Sequence, residues 1–167
     1  EILNPSSAQD TELLKSALAS QNKIIDVHNA GTAMRFLTSF FAIQEGRETL
    51  LTGSERMKQR PISPLVEALQ ELGADIQYLE RAGFPPLKIK GKKIEKSSVR
   101  IPAGISSQFI TSLILIGGSL ASGLMIELVG EITSRPYLEM TLKILKTLYP
   151  NAPISFQGQK IFIPYLL

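Results

Sequence analysis

The sequence predicts an α/β fold made of repeated β-α-β-α-β-β units, its most apolar helices buried and flanked by mixed sheets. Three observations carry that expectation. Short runs with the two-residue alternation of strands are interleaved with longer runs of helical period. The order strand, helix, strand, helix, hairpin occurs twice. Gly53 and Gly130 end equivalent strands, and Arg60-Pro61 and Arg135-Pro136 open equivalent helices at almost the same offset.

A first helix is expected from about Ala8 to Ser20, capped by Ser7, with Asp10 in its first turn and Leu13, Leu14, Ala17 and Leu18 on one face. A short strand follows at Lys23 to Val27. Thr32 to Ile43 is apolar nearly all round, with Ala33, Leu37, Phe40 and Phe41 at helical spacing, so this second helix belongs inside. Arg47 to Thr52 reads as a strand. A third helix has Ser63 as its cap, Pro64 in its first turn, Leu65, Ala68, Leu69 and Leu72 as its stripe and Gly73 as its stop. Asp75 to Glu80 and Leu87 to Lys90 form a hairpin around Arg81-Ala82-Gly83, with Leu87 and Ile89 inward and Lys88 and Lys90 outward. The second copy sets strands at Ser98 to Ile101 and Leu124 to Val129, and helices at Ser107 to Leu115 and Pro136 to Leu148. Its hairpin, Ile154 to Phe156 and Ile161 to Ile163, turns at Gln157-Gly158.

Residues 1–27 then read as the truncated tail of an earlier repeat, 28–91 as a second repeat and 92–167 as a third. A repeat of this kind buries its apolar faces only against its sisters, so residues 1–167 are expected to form one domain. Two small domains joined in the lysine-rich stretch Lys88 to Lys96 are the alternative, disfavoured because each half alone is marginal in size.

Composition narrows the chemistry. With 167 residues, 44% hydrophobic and 20% charged, the chain is too apolar for disorder and long enough for its own core. Cysteine is absent, which excludes a disulfide framework, a thiolate metal site and a cysteine nucleophile. His28 is the single histidine, a poor basis for zinc or serine–histidine chemistry. The net charge of +3 favours anionic partners only weakly. Glu1 to Pro5 has neither the basic region nor the apolar core of a signal peptide, and reads as the start of an excised or processed piece. Ile101 to Ile126 carries no charge, long enough to suggest a membrane span. Its serines and its breaks at Gly117-Gly118 and Gly123 make it a buried helix, a turn and a strand instead.

Three helix starts share small and hydroxyl residues: Asn29-Ala30-Gly31-Thr32-Ala33, Ser106-Ser107-Gln108 and Ser134-Arg135-Pro136-Tyr137. Free N–H groups at the positive end of a helix suit phosphate or carboxylate. The competing reading is that Asn, Ser and Thr are simply good caps. The loop from Gly53 to Pro61 sets Arg56, Lys58 and Arg60 between a buried strand and a buried helix, where guanidinium forks suit an anionic ligand or else form a solvated turn. Lys88, Lys90, Lys92, Lys93 and Lys96 lack interleaved aromatics and read as a solvated face, with an anion or nucleic-acid binding module as the alternative. No carboxylate pair suited to acid–base work stands out, and no P-loop or dinucleotide fingerprint is present. His28 reads as a polar loop residue beside a ligand site.

These same segments resemble the EPSP synthase family, the 3-phosphoshikimate 1-carboxyvinyltransferases. Asn29-Ala30-Gly31-Thr32-Ala33-Met34-Arg35 and Leu51-Thr52-Gly53-Ser54-Glu55-Arg56-Met57-Lys58-Gln59-Arg60-Pro61 are similar to its signatures. Ser106-Ser107-Gln108-Phe109 and Ser134-Arg135-Pro136-Tyr137 are similar to further motifs in the same order. The resemblance runs from Ser7 to about Tyr149. It departs at Phe36, where many members have proline, and at Arg135, where many have lysine.

The resemblance implies two similar domains, each of three β-α-β-α-β-β units of inverse α/β barrel type, this chain covering most of the N-terminal one. It implies transfer of the enolpyruvyl group of phosphoenolpyruvate to the 5-hydroxyl of shikimate 3-phosphate, with release of phosphate by addition then elimination. That is a cytoplasmic step of aromatic amino-acid and chorismate synthesis, run without metal or organic cofactor. It further implies that Gly31, Arg56 and Gln108 meet phosphoenolpyruvate, and that Ser106, Ser107, Gln108, Ser134 and Tyr137 meet shikimate 3-phosphate. Thr32 and Arg35 would shape the helix start at Gly31. The family's lysine–serine motif would lie ahead of Glu1, and its second domain, with the acid–base carboxylates, is also outside the sequence. The chain is therefore expected to bind substrates, to pair with that missing C-terminal domain and to be inactive alone, with no nucleic-acid or membrane partner. The sister transferase acting on UDP-N-acetylglucosamine is the alternative within this chemistry. Its usual catalytic cysteine has no counterpart here.

Overall fold

The computed structural model describes residues 4–167, so the reading of residues 1–3 lies outside the described residues. The chain divides into two compact units. One runs up to Ser63 and takes up Asp75–Lys92; the other consists of Pro64–Ala74 and Lys93–Leu167. The break at Lys92 and Lys93 falls in the lysine-rich stretch.

The first unit holds helices α1 (Gln9–Ala19) and α2 (Gly31–Ala42), and strands β1 (Ile24–Asp26), β2 (Glu48–Thr52), β3 (Asp75–Tyr78) and β4 (Leu87–Lys90). Its sheet has the order β1-β2-β4-β3, with β1 parallel to β2 and the other pairs antiparallel. Alternation puts Ile25, Leu51 and Leu87 in one buried row and Thr49, Ile89 and Ile76 in the next. One face of α2 packs on β2 and β4, and α1 packs against α2. That double cover explains why α2 tolerates almost no polar surface.

Two sequence expectations change here. The strand at 24–26, read as the tail of an earlier copy, is the first strand of this sheet, because Ile25 completes the apolar row begun by Leu51. Ser7 is not the cap of α1; Ala8 is, and Ser6 Oγ accepts the Ala8 N–H at 3.2 Å. Of the expected face only Ala17 is fully buried, and Leu18 is exposed. Arg47 anchors the end of α1 instead. Its Nη2 donates to the Ser20 carbonyl at 2.7 Å, and its guanidinium lies 4.5 Å from the centre of the Phe41 ring.

The second unit repeats the pattern with β5 (Ser98–Pro102), α4 (Ser107–Gly117), β6 (Leu124–Val129), α5 (Arg135–Leu148), β7 (Ser155–Gln157) and β8 (Lys160–Ile163). Sheet order is β5-β6-β8-β7, again with only the first pair parallel. Val99, Ile126 and Ile161 form its central buried row, and α4 packs against both β6 and α5. The uncharged stretch 101–126 thus resolves into the end of β5, α4, a turn and the start of β6. No helix among the described residues is long and apolar enough to cross a membrane.

Helix α3 (Ser63–Leu72) belongs to the second unit from Pro64 onward. Lys96 Nζ donates to the Glu71 carbonyl at 2.6 Å, a cation at the negative end of that helix. Lys88 pairs with Glu48 at 3.5 Å. These two lysines of the run are engaged with the protein's own surface.

Leu51 sits on the central strand of the first sheet with no exposed surface. Leu51→Ala should cost about 3 kcal/mol and lower Tm by roughly 6–12 °C, read by thermal unfolding followed by circular dichroism.

Candidate anion-binding site

In each unit the two parallel strands end side by side, and a helix-start loop leaves each of them. The Val27 N–H donates to the Thr52 carbonyl at 3.0 Å in the first unit; Ala103 donates to Val129 at 2.8 Å in the second. The carboxyl ends of parallel strands are where α/β folds place ligands.

In the first unit Gly31 opens α2. Arg35 lies one turn on, only 7% exposed, and its Nη1 donates to the Gly31 carbonyl at 2.6 Å. Arg35 therefore shapes the helix start directly. Arg60 arrives at the same spot from the loop after β2. A Cβ on Gly31 would overlap Arg60 Nη1 and come within 2.7 Å of Arg35 Nη1, so a side chain there would displace the guanidinium ends that glycine admits. Burial first, and then the charge of Arg60, push the Arg35 guanidinium down to about 10. The fold therefore bears the cost of this charge at every pH below that value, and on this account stability rises only as pH climbs above about 10. An anion beside the two arginines would offset the cost and gain charge-assisted hydrogen bonds.

The loop carrying Arg60 is tied down along its length. Gly53 is needed because a Cβ there would lie 2.6 Å from the His28 carbonyl oxygen and 2.9 Å from Met57 Cβ. The Ser54 N–H donates to His28 O at 3.0 Å. Met57–Gln59 form a 3-10 turn with Met57 buried. Lys58 Nζ bridges Glu80 and Glu55, each at 3.1 Å, and those hydrogen bonds, Glu80's first, raise its pKa. The Ile62 N–H donates to the Gly83 carbonyl at 2.9 Å. His28 is exposed and left-handed in its backbone, with φ 47°, and its Nδ1 lies 3.9 Å from Asp26 Oδ1.

The sequence offered Arg56, Lys58 and Arg60 together as the cations of this loop, and the family resemblance singled out Arg56. Arg56, at the N-cap of the 3-10 turn, and Arg60 are both exposed, and Arg60 Nη1 lies beside Gly31. The sequence signal for Arg60 was ambiguous, because Arg60-Pro61 reads equally well as a helix-start marker.

In the second unit Ser106 is the N-cap of α4 and is exposed, while Ser107 and Gln108 in its first turn are half-buried. Ser134 is the N-cap of α5 and Tyr137, half-buried, is in its first turn. None of the three N-cap residues, Ala30, Ser106 and Ser134, makes a side-chain cap bond. The cap reading therefore does not account for the hydroxyls of Ser106 and Ser134. Arg135, the counterpart of Arg60, is turned elsewhere: its Nε donates to Glu139 at 2.8 Å and its guanidinium lies 4.2 Å over the Phe156 ring. Among the described residues no group of three or more His, Cys, Asp or Glu could hold a metal ion.

A repeated α/β fold that sets helix starts and guanidinium groups at the carboxyl ends of parallel strands belongs to the class suited to anionic ligands. Its architecture matches solved structures of EPSP synthase from Acinetobacter baumannii with a TM-score of 0.69 at 21% identity, over 87% of this chain and 31% of that one. The sequence profile of EPSP synthase (3-phosphoshikimate 1-carboxyvinyltransferase) matches residues 4–163, and the chain belongs to that family. Relatives of that name from Bacteroides fragilis and Colwellia psychrerythraea are 48% and 47% identical, over 86% and 81% of this chain. The chain spans about a third of their length, 35% and 31% respectively.

Gly31→Ala should push Arg60 aside and weaken the binding of inorganic phosphate by about tenfold, measured by calorimetric titration. Arg60→Gln should abolish the phosphate-dependent rise in Tm without lowering Tm in its absence, because it relieves the charge facing Arg35.

Proposed function

We propose that this chain is the substrate-binding part of a 3-phosphoshikimate 1-carboxyvinyltransferase. The observation that carries the reading is the convergence of Arg60 and Arg35 on Gly31 at the start of α2. Phosphoenolpyruvate has a carboxylate and a phosphate, and a guanidinium pair beside a helix N-terminus matches either group. Gly31 and Arg56 are assigned to it, with Arg60 beside Gly31 as a further cation. Ser106, Ser107, Gln108, Ser134 and Tyr137 are assigned to shikimate 3-phosphate. The family identity and the uncapped helix starts at Ser106 and Ser134 support this.

In the reaction, the 5-hydroxyl of shikimate 3-phosphate gives up its proton as its oxygen bonds to C2 of phosphoenolpyruvate, while C3 gains a proton. Loss of a proton from C3 and of phosphate from C2 then restores the double bond. Residues of this chain hold the anionic groups and fix their orientation, which is where proximity and charge neutralisation enter the rate. The proton transfers are assigned to the part of the family's polypeptide beyond this chain's span, its natural partner in the cytoplasm.

Given both substrates, the chain alone should release no phosphate; turnover at ordinary enzymatic rates would overturn the assignment of a binding part. In equilibrium titrations Arg60→Ala should weaken phosphoenolpyruvate by about tenfold or more and shikimate 3-phosphate little, while Ser134→Ala should do the reverse. Equal losses of both ligands in both variants would sink the division of roles.

A further inference from the structure

We propose that Thr111 is a positioning residue that orients the Ser107 hydroxyl toward an anionic group; this rests on the assignment of Ser107 to shikimate 3-phosphate made above. Thr111 lies in α4, is only 3% exposed, and its Oγ1 has no hydrogen-bond partner among the described residues. A buried hydroxyl without a partner costs free energy, because it has given up water and gained no bond in exchange. Three other threonines well inside helices avoid that cost. Thr38 in α2 and Thr141 and Thr147 in α5 each donate to the carbonyl four residues back, those of Met34 at 2.7 Å, Tyr137 at 3.3 Å and Lys143 at 2.9 Å. Thr111 has the same option toward the Ser107 carbonyl and does not take it, which leaves its hydroxyl available to another group.

Helix geometry indicates which group that is. Thr111 follows Ser107 by four positions, so the two side chains are neighbours on one face of α4. Cα–Cβ bonds tilt toward the N-terminus of a helix, so the Thr111 side chain leans over the first turn, where Ser107 stands. Burial deepens along this face. Ser107 is half-buried at the rim, within reach of a ligand, and Thr111 lies beneath it, out of a ligand's reach. A serine oxygen accepts one hydrogen bond while its own hydrogen is donated to another group. With an anion at the helix start, the Ser107 O–H donates to that anion and the Thr111 O–H donates to the Ser107 oxygen. Each bond in such a chain strengthens the next where water is excluded. The Thr111 hydroxyl then has its partner, and its cost to the fold is offset on binding.

The rival account is that Thr111 carries an idle hydroxyl in the core. A titration of the 167-residue chain with shikimate 3-phosphate separates the two. Thr111→Val keeps the shape of the side chain and deletes only the hydroxyl, so on either account Tm without ligand should not fall. The positioning role predicts about tenfold weaker binding of shikimate 3-phosphate, with phosphoenolpyruvate affinity kept within about twofold. Thr111→Ser should restore the loss to within about twofold, and in a Ser107→Ala background Thr111→Val should have no further effect. Should Thr111→Val fail to fold, the Thr111 methyl resonance of the parent chain serves instead: it should shift as shikimate 3-phosphate saturates the chain. An unaltered affinity in Thr111→Val, alongside a large loss in Ser107→Ala, overturns the positioning role alone. So does an equal loss of both ligands, an equal loss in both backgrounds, or a methyl resonance that stays in place at saturation. A parent chain that binds neither shikimate 3-phosphate nor inorganic phosphate overturns the assignment of Ser107 and this inference together.

Discussion

Parallel pairing of the first two strands in each unit is the constraint on which the rest depends. Because β1 runs beside β2 in the same direction, both strands deliver their loops to one edge of the sheet. The Val27–Thr52 hydrogen bond extends the ladder into those loops, and His28 and Ser54 carry it further. A slip of one residue would turn Ile25 out of the buried row and carry the His28–Asn29 loop away from Ser54. The apolar alternation that stabilises the sheet therefore also sets the registration of the site.

Electrostatics run the other way. Arg35 and Arg60 meet at a helix start, a place already positive, and Arg35 is largely out of water. The fold carries this charge concentration as a cost. Arg135 shows the alternative. Equivalent in sequence to Arg60, it lies against Glu139 and the Phe156 ring, where its charge is paired. Two copies of one topology thus hold the same residue type in opposite electrostatic states, and the local partners make the difference.

Membership of the EPSP synthase family places the chain among proteins about three times its length. The physical reading agrees in kind: cationic and hydroxyl groups at helix starts are suited to hold anions. The two units are alike in strand order yet offer different groups at their helix starts, guanidiniums in one and hydroxyls in the other.

The sequence by itself determined the elements and their order. Leu124 to Val129 and the buried second helix were legible because period and apolar content are local properties, and the recurrence of Gly53 and Arg60-Pro61 at Gly130 and Arg135-Pro136 exposed the repeat. The three helix-start motifs were legible as candidates for the same reason. Three things were decided by tertiary structure: that residues 24–26 open a sheet rather than close an earlier copy, that α3 joins the second unit, and that Arg60 meets Gly31. Each depends on which segments distant in sequence are brought together. Arg56 and Arg60 are both arginines on one loop, four positions apart. Both are exposed, and the path of the loop, with Gly53 close against the His28 carbonyl, sets Arg60 beside Gly31.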